Sequence, residues 1–364
     1  MAKIVYIADV CKEIFAGGDV PKDALSYEKT AEYNVPIFSN GEKNCGLYGY
    51  TNNARVKEPS ITVSARGTIG YTAIRTEPFV PVVRLITLTP KSEVIDLDYL
   101  FYATQNYKFE GSGTSIPQLT VPILKKYKFP LPEMSHQKTI AVKFEKLDQL
   151  ISLRKQQLAK LDELVKARFV EKSKEWQAVP EQLNEFLEDI TYGFTNPMPD
   201  AEEGPWKVTA KDVVNGHINI LTARKTTNEA FEQLTNKSKP RKGDVLLTKD
   251  GTLGRVAVVD VENLCVNQSV AVMRCNNKIY PEFLAMILQM PEYQRKLLED
   301  SGGGTIKHLY ITKVDKMLIS VPDLVIQKDL LMFAKRVDQQ KQTVQQSLEK
   351  LEMMKKALMQ EYFG

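Results

Sequence analysis

Side chains suited to reading or gripping a polyanion gather in this sequence around two short glycine motifs. Ser64-Ala-Arg-Gly-Thr-Ile-Gly70 sets Arg66 beside a Gly-Thr-x-Gly turn, and Thr248-Lys-Asp-Gly-Thr-Leu-Gly254 sets Lys249 and Asp250 at the same point of a second one. Arg, Lys, Asn and Gln on such loops suit hydrogen bonding to base edges, and Lys or Arg nearby suit phosphates. In the first half of the chain the candidates are Arg66, Lys43 and Asn44 after the Asn40-Gly41 turn, Tyr48 and Tyr50, and Thr114, Ser115 and Gln118. In the second half they are Lys249 and Asp250, Arg224 and Lys225, Lys237, Lys239, Arg241 and Lys242, with Thr305, Lys307 and His308. Any one of these serves equally well as a solubilising charge, so the clusters carry the signal. Asn267 and Gln268, within Val266-Asn-Gln-Ser-Val270, suit either a base edge or the satisfaction of backbone groups.

Catalytic chemistry is not legible in the same way. The four cysteines form no CxxC pair and the three histidines are far apart, so zinc-site spacing is missing. A DNA methyltransferase would need a cofactor-binding glycine motif and an Asn/Asp-Pro-Pro-aromatic turn; Asn196-Pro-Met-Pro199 approaches the latter only superficially and reads as a rigid connector. No G-x4-GK[ST] phosphate loop is present. Gly67 and Gly70, like Gly251 and Gly254, read as tight β-turns, with a backbone-clamping loop of the kind used on single-stranded RNA as the alternative. Asp189, Asp250 and Asp260 form no acid-base or metal cluster and read as solvated surface. Catalytic, cofactor-binding and metal-binding residues are therefore not expected on this chain.

The elements that must position these loops come in duplicate. A chain of 364 residues exceeds one core. Beyond the glycine motifs, Gly113-Thr114 matches Gly304-Thr305, and from Gln118-Leu119 against His308-Leu309 the copies run in register into Pro132-x4-Gln137-Lys138 and Pro322-x4-Gln327-Lys328. Ile7-Ala-Asp-Val10 resembles Leu187-Glu-Asp-Ile190, and Pro36-Ile37 resembles Pro205-Trp206. Segments such as Ile61–Val63, Val80–Leu88, Asp244–Thr248 and Arg255–Val259 are β-branched and bounded by Gly or Pro, which predicts strands; short helices are predicted at Asp98–Gln105 and Pro281–Leu298.

Two heptad rows then mark long helices. In the first, Ile140, Leu147 and Leu161 run beside Phe144, Ile151, Leu158 and Val165, with Arg154 as a break. In the second, Leu330, Val337, Val344, Leu351 and Leu358 run beside Ala334 and Leu348, with Lys341 and Lys355 as breaks. An antiparallel pairing of the two is the simplest way to bury both stripes, separate docking on each module being the alternative. The expected fold is α+β: two similar mixed modules at 1–134 and 173–324, separated by spacer helices at 135–172 and 325–364 that pair as an antiparallel coiled coil, an internal pseudo-two-fold repeat. Helices of that length span roughly 54 Å, more than the roughly 34 Å repeat of DNA, so the pair is expected to act as a ruler.

Composition sets outer bounds. Hydrophobic residues at 43% and charged residues at 26% describe a globular chain. A net charge of +4 requires any nucleic-acid contact to come from a local basic face. The amino-terminal apolar stretch is broken by Asp9, Lys12 and Glu13, and no run approaches the roughly 18 residues of a membrane span. A reducing cytoplasm is expected, with the cysteines as small core residues.

Order, duplication and spacing together make the sequence resemble the specificity subunits of type I restriction-modification systems. The resemblance rests on the paired Gly-Thr-x-Gly turns, the Gly-Thr loops leading to Pro117-Gln118-Leu119 and Ile306-Lys-His-Leu309, the two Pro-x4-Gln-Lys helix starts and Val266-Asn-Gln-Ser-Val270. It implies a non-catalytic protein that binds double-stranded DNA, each module reading half of a split asymmetric target, while the helices dock two methyltransferase subunits and restriction-translocation subunits join the larger complex. S-adenosylmethionine and ATP would belong to those partners. One departure is visible, Ile37 standing where the second module has Trp206. An elongated coiled-coil scaffold without a nucleic-acid role is the competing reading, and it leaves the basic loop clusters unexplained.

Overall fold

The computed structural model describes residues 2–107, 118–176, 178–214, 216–299 and 308–364. The chain divides into two compact units, Met1–Leu158 with Thr343–Gly364, and Ala159–Gln342.

In the first unit an antiparallel sheet runs in the order Cys11–Ala16, Ile86–Pro90, Ser60–Val63, Thr72–Arg75. Every residue of Ser60–Val63 and Ile86–Pro90 is buried. Burial on both faces is why these segments read as unbroken β-branched runs instead of alternating ones. A second sheet runs Leu47–Thr51, Val35–Phe38, Val80–Pro81, its last pair parallel, and Lys3–Tyr6 pairs with Lys128–Leu131. Helix Leu97–Gln105 starts at Asp96, whose carboxylate accepts the Tyr99 N–H at 3.0 Å, and it buries Tyr99, Leu100 and Ala103 in the core behind the sheet.

The second unit repeats this topology strand for strand. Its four-stranded sheet runs Leu187–Tyr192, Val270–Cys275, Val245–Thr248, Val256–Val258; its mixed sheet runs Arg224–Lys225, Ala201–Val208, Leu264–Val266, again ending in a parallel pair; Glu181–Gln182 pairs with Leu318–Ile319. The hairpin Val213–Val214 with His217–Ile218 is additional. Gly17 and Gly193 hold equivalent places where the backbones of the two sheets nearly touch. An added Cβ would lie 2.5 Å from the Pro81 carbonyl carbon and 1.7 Å from the Val266 oxygen, so no side chain fits at either.

Both long helices are present, Met134–Ser173 and Leu324–Phe363. In the first unit Phe144 stacks on Tyr102 and Phe363 at 4.9 and 5.8 Å, and Lys355 Nζ meets Asp148 at 2.6 Å. In the second unit Lys341 Nζ meets Asp162 at 2.5 Å, and the Arg168 guanidinium lies 5.9 Å from the Phe333 ring centre. Advancing along the first helix retreats along the second, so the pairing is antiparallel. The two lysines that break the second heptad row are the ones that reach across to an aspartate.

Each long helix is pinned at its start by the glutamine of the Pro-x4-Gln-Lys motif. Gln137 is buried; its amide donates to the Val94 and Pro132 carbonyls at 3.1 and 2.9 Å and accepts the Asp96 N–H at 2.8 Å. Gln327 does the same with Lys278, Pro322 and the Tyr280 N–H at 3.0, 2.8 and 3.0 Å.

Three expectations change in detail. The helix anticipated over Pro281–Leu298 is two helices, Pro281–Leu288 and Pro291–Glu299, because Pro291 cannot donate to the turn before it and instead opens a new helix. The strand anticipated over Val80–Leu88 is interrupted: Val83 and Arg84 take left-handed φ of 52° and 63°, carrying the chain from one sheet to the other. Of the cysteines, Cys11 and Cys265 are buried as expected and Cys275 partly so, whereas Cys45 is exposed on a loop. Burial pushes the Cys265 thiol up to about 11 and those of Cys11 and Cys275 up to about 12, keeping all three protonated and inert.

Candidate nucleic-acid interface

Both Gly-Thr-x-Gly segments are tight connections between antiparallel strands. In the first, the Ser64 N–H donates to the Tyr71 carbonyl at 2.8 Å and the Gly70 N–H to Ser64 O at 2.9 Å; in the second, Thr248 donates to Arg255 and Gly254 to Thr248, both at 2.9 Å. All four glycines have φ between 67° and 87°, which glycine alone adopts without strain.

A second segment returns to each turn. The Leu119 N–H donates to the Ala65 carbonyl at 2.9 Å, and the Leu309 N–H to the Lys249 carbonyl at 2.9 Å. These bonds bring Gln118 against Arg66 and His308 against Asp250. Arg66 Nε and Nη2 both donate to Gln118 Oε1, at 3.0 and 2.8 Å. His308 Nδ1 lies 2.6 Å from Asp250 Oδ1, and Lys249 Nζ 2.7 Å from Asp250 Oδ2. Partial burial alone would raise the Asp250 pKa, but hydrogen bonds from Lys249 and His308, reinforced by their charges, hold it below the usual carboxylate range.

The loop carrying Lys43 and Asn44 is fastened to the first turn. Asn40 Oδ1 accepts the Ala65 N–H at 2.7 Å, and the Gly41 N–H donates to Ser64 Oγ at 3.1 Å. Lys43 and Asn44 are exposed in the 3-10 turn Lys43–Gly46, and Asn44 has φ 51°. Buried Arg75 supports that turn, donating to the Cys45 carbonyl at 2.7 Å with its guanidinium 3.6 Å from the Phe38 ring centre. Tyr48 is exposed, 6.3 Å from the Tyr27 ring centre, and Tyr50 is half-buried in the following strand. The roles of Asn40 and Arg75 were not legible in the sequence. Asn-Gly signalled the turn at Asn40 but not the reach of its side chain, and nothing marks Arg75 as buried.

The second unit separates what the sequence grouped. Arg241 and Lys242 are exposed before the strand Val245–Thr248, whereas Lys249 and Asp250 follow it, so about 13 Å of strand lies between them. Lys237 is exposed; Lys239 lies 4.7 Å over the Phe231 ring and 3.7 Å from Glu232. Arg224 pairs with Asp200 at 2.9 Å, and Lys225 sits 4.7 Å over the Trp206 ring. A hydrogen bond from Lys207, together with the charges of Lys207 and Arg224, holds Asp200 below the ordinary range. The Asn196–Pro199 segment is tied down as a connector: Lys207 Nζ donates to the Met198 and Pro199 carbonyls, each at 3.1 Å. Asn267 satisfies its own neighbours, accepting from Ser269 Oγ at 2.5 Å, while the Ser269 carbonyl takes the Lys249 N–H at 2.8 Å and braces the second turn. Gln268 is exposed. Thr114, Ser115, Thr305 and Lys307 lie outside the described residues. Among the described residues no group of His, Cys, Asp and Glu could hold a metal ion.

Comparison with known proteins decides what this duplicated frame belongs to. The type I restriction modification DNA specificity domain matches twice, over residues 2–163 and 198–353. The chain belongs to this family. A type I specificity subunit by name from Mycoplasma pneumoniae is 38% identical over 145 residues, 40% of this chain and 39% of that protein. The EcoBI type I restriction enzyme specificity subunit of Escherichia coli is 23% identical over 317 residues, 77% of this chain and 66% of that one. The chain thus spans less than two thirds of either relative's length. The crystal structure of a type I restriction-modification S subunit from M. genitalium shares the fold, with a TM-score of 0.57 at 17% identity, covering 100% of this chain and 96% of that one.

Proposed function

We propose that this chain is the non-catalytic reader of a type I restriction-modification complex, binding double-stranded DNA sequence-specifically and delivering partner enzymes to a split, asymmetric target. The observation that carries the reading is the duplicated module: two units with one strand order and one turn frame, each followed by a long helix, and both matched by the specificity-domain family. Each unit reads one half-site, and the difference in exposed chemistry between the two makes the target asymmetric. The long helices set the gap between half-sites and dock two methyltransferase subunits, with restriction-translocation subunits joining the larger assembly. S-adenosylmethionine and ATP belong to those partners. No helix among the described residues is long and apolar enough to cross a membrane, and the place of action is the cytoplasm, with the DNA.

Methylation mapping by single-molecule sequencing tests this, in a host expressing the chain with its methyltransferase and in one lacking the chain. A split motif that vanishes with the chain is the expected result. A motif that persists without it, or none in either host, overturns the reader role.

A further inference from the structure

The two units hold one backbone frame at their turns and invert its exposed chemistry. The Leu119-to-Ala65 and Leu309-to-Lys249 hydrogen bonds are both 2.9 Å, as are Gly70-to-Ser64 and Gly254-to-Thr248. On that common frame Arg66 and Gln118 occupy the places that Asp250 and His308 occupy in the other unit. The backbone bonds that the two turns share involve neither pair of side chains, so they set no polarity at these positions. Here a guanidinium faces an amide in one unit, and a carboxylate faces an imidazole and an ammonium in the other. The turn therefore tolerates opposite polarities, and the difference is available to a ligand that differs between the units.

We propose that these pairs are the polarity-setting reading positions of the two half-sites: Arg66, oriented by Gln118, recognises guanine, and Asp250, oriented by His308 and Lys249, recognises the amino group of cytosine. The inference rests on the reader role proposed above. Arg66 spends Nε and Nη2 on Gln118 Oε1, which fixes the plane of the guanidinium; among the described residues no bond uses Nη1. A planar fork of donors held this way matches the O6 and N7 acceptors that guanine shows in the major groove. Asp250 receives one bond on each oxygen, and a carboxylate oxygen carries two acceptor sites, so a lone pair on each remains for the N4 amino group of cytosine. Its side chain is 21% exposed and that of His308 47%, so a base edge can reach the pair.

The test uses the full chain with its methyltransferase subunits. Motif mapping is combined with competition binding between duplexes that differ at one base pair, for the wild type, Arg66→Ala, Arg66→Lys and Asp250→Asn. Arg66→Ala and Arg66→Lys should each reduce discrimination about 10- to 100-fold at one guanine of one half-site, leaving the other half unchanged. Lysine keeps the charge but loses the fork, so its loss of discrimination separates base reading from phosphate binding. Asp250→Asn should relax one cytosine in the other half-site only. A wild-type split motif that all three folded variants leave unchanged overturns the pairing alone. Uniform weakening across sequences with a shallower salt slope assigns Arg66 to phosphate and also overturns it. Absence of any wild-type motif overturns the reader role itself, and the pairing with it.

Discussion

Gln137 and Gln327 show how much one side chain can hold. Each buried amide satisfies two carbonyls and one N–H between the start of a long helix and the loop ahead of a short one. Removing the amide strands three backbone groups away from water, so Gln137→Ala and Gln327→Ala should each destabilise by about 2–4 kcal/mol; a urea midpoint unmoved by either would show that the anchor is dispensable. Asp250 gives a second expectation, in pH. Its folded pKa lies below the ordinary 3.8, so its pairing with Lys249 and His308 contributes stability fully above that value and loses it as the pH falls through the depressed one. The stability difference between wild type and Asp250→Asn should accordingly shrink as the pH falls below about 4, as followed by thermal unfolding. A difference growing below that pH would reverse the assignment. At this scale the sequence showed the motif glutamines and the turn glycines but not their partners. Nothing in Arg75 or Asn40 predicts that one would be buried under a loop and the other would span from its own turn to the next.

Among the elements, the long helices were the most legible because a heptad stripe repeats often enough to outweigh local noise. Their energetic centre in the first unit is Phe144, fully buried between Tyr102 and Phe363. Phe144→Ala should cost about 3–5 kcal/mol, and the half-buried pair of Asp148 with Lys355 does not replace the lost apolar contact. Chemical unfolding would check this, and a cost under 1 kcal/mol would mean that the helix pair is not built on this contact. The breaks at Lys341 and Lys355 look like faults in a one-dimensional pattern. Aspartates on the opposing helix give them partners, and that pairing is invisible until the register is known. The same limit explains the helix that Pro291 divides and the strand that Val83 and Arg84 interrupt: composition fixes the apolar segments, while neighbouring elements decide where the chain must turn.

For the whole molecule, modularity has a direct consequence. Replacing residues 173–324 by the same segment of a relative should change one half of the methylated motif and leave the other as it was, in motif mapping of the chimaera; a change in both halves would contradict independent units. The sequence by itself determined the duplication, the fold class and the family, since each rests on patterns repeated along the chain: two glycine turns, two Pro-x4-Gln-Lys motifs and two heptad rows. Tertiary structure decided which polar groups share a surface. Arg66 and Gln118 meet although far apart in sequence, as do Asp250 and His308, whereas Lys242 and Lys249 are near in sequence and held apart by a strand. The reason is physical. Periodicity records which face of an element is buried, but the contacts between side chains depend on strand order and register, which backbone hydrogen bonds between distant segments set.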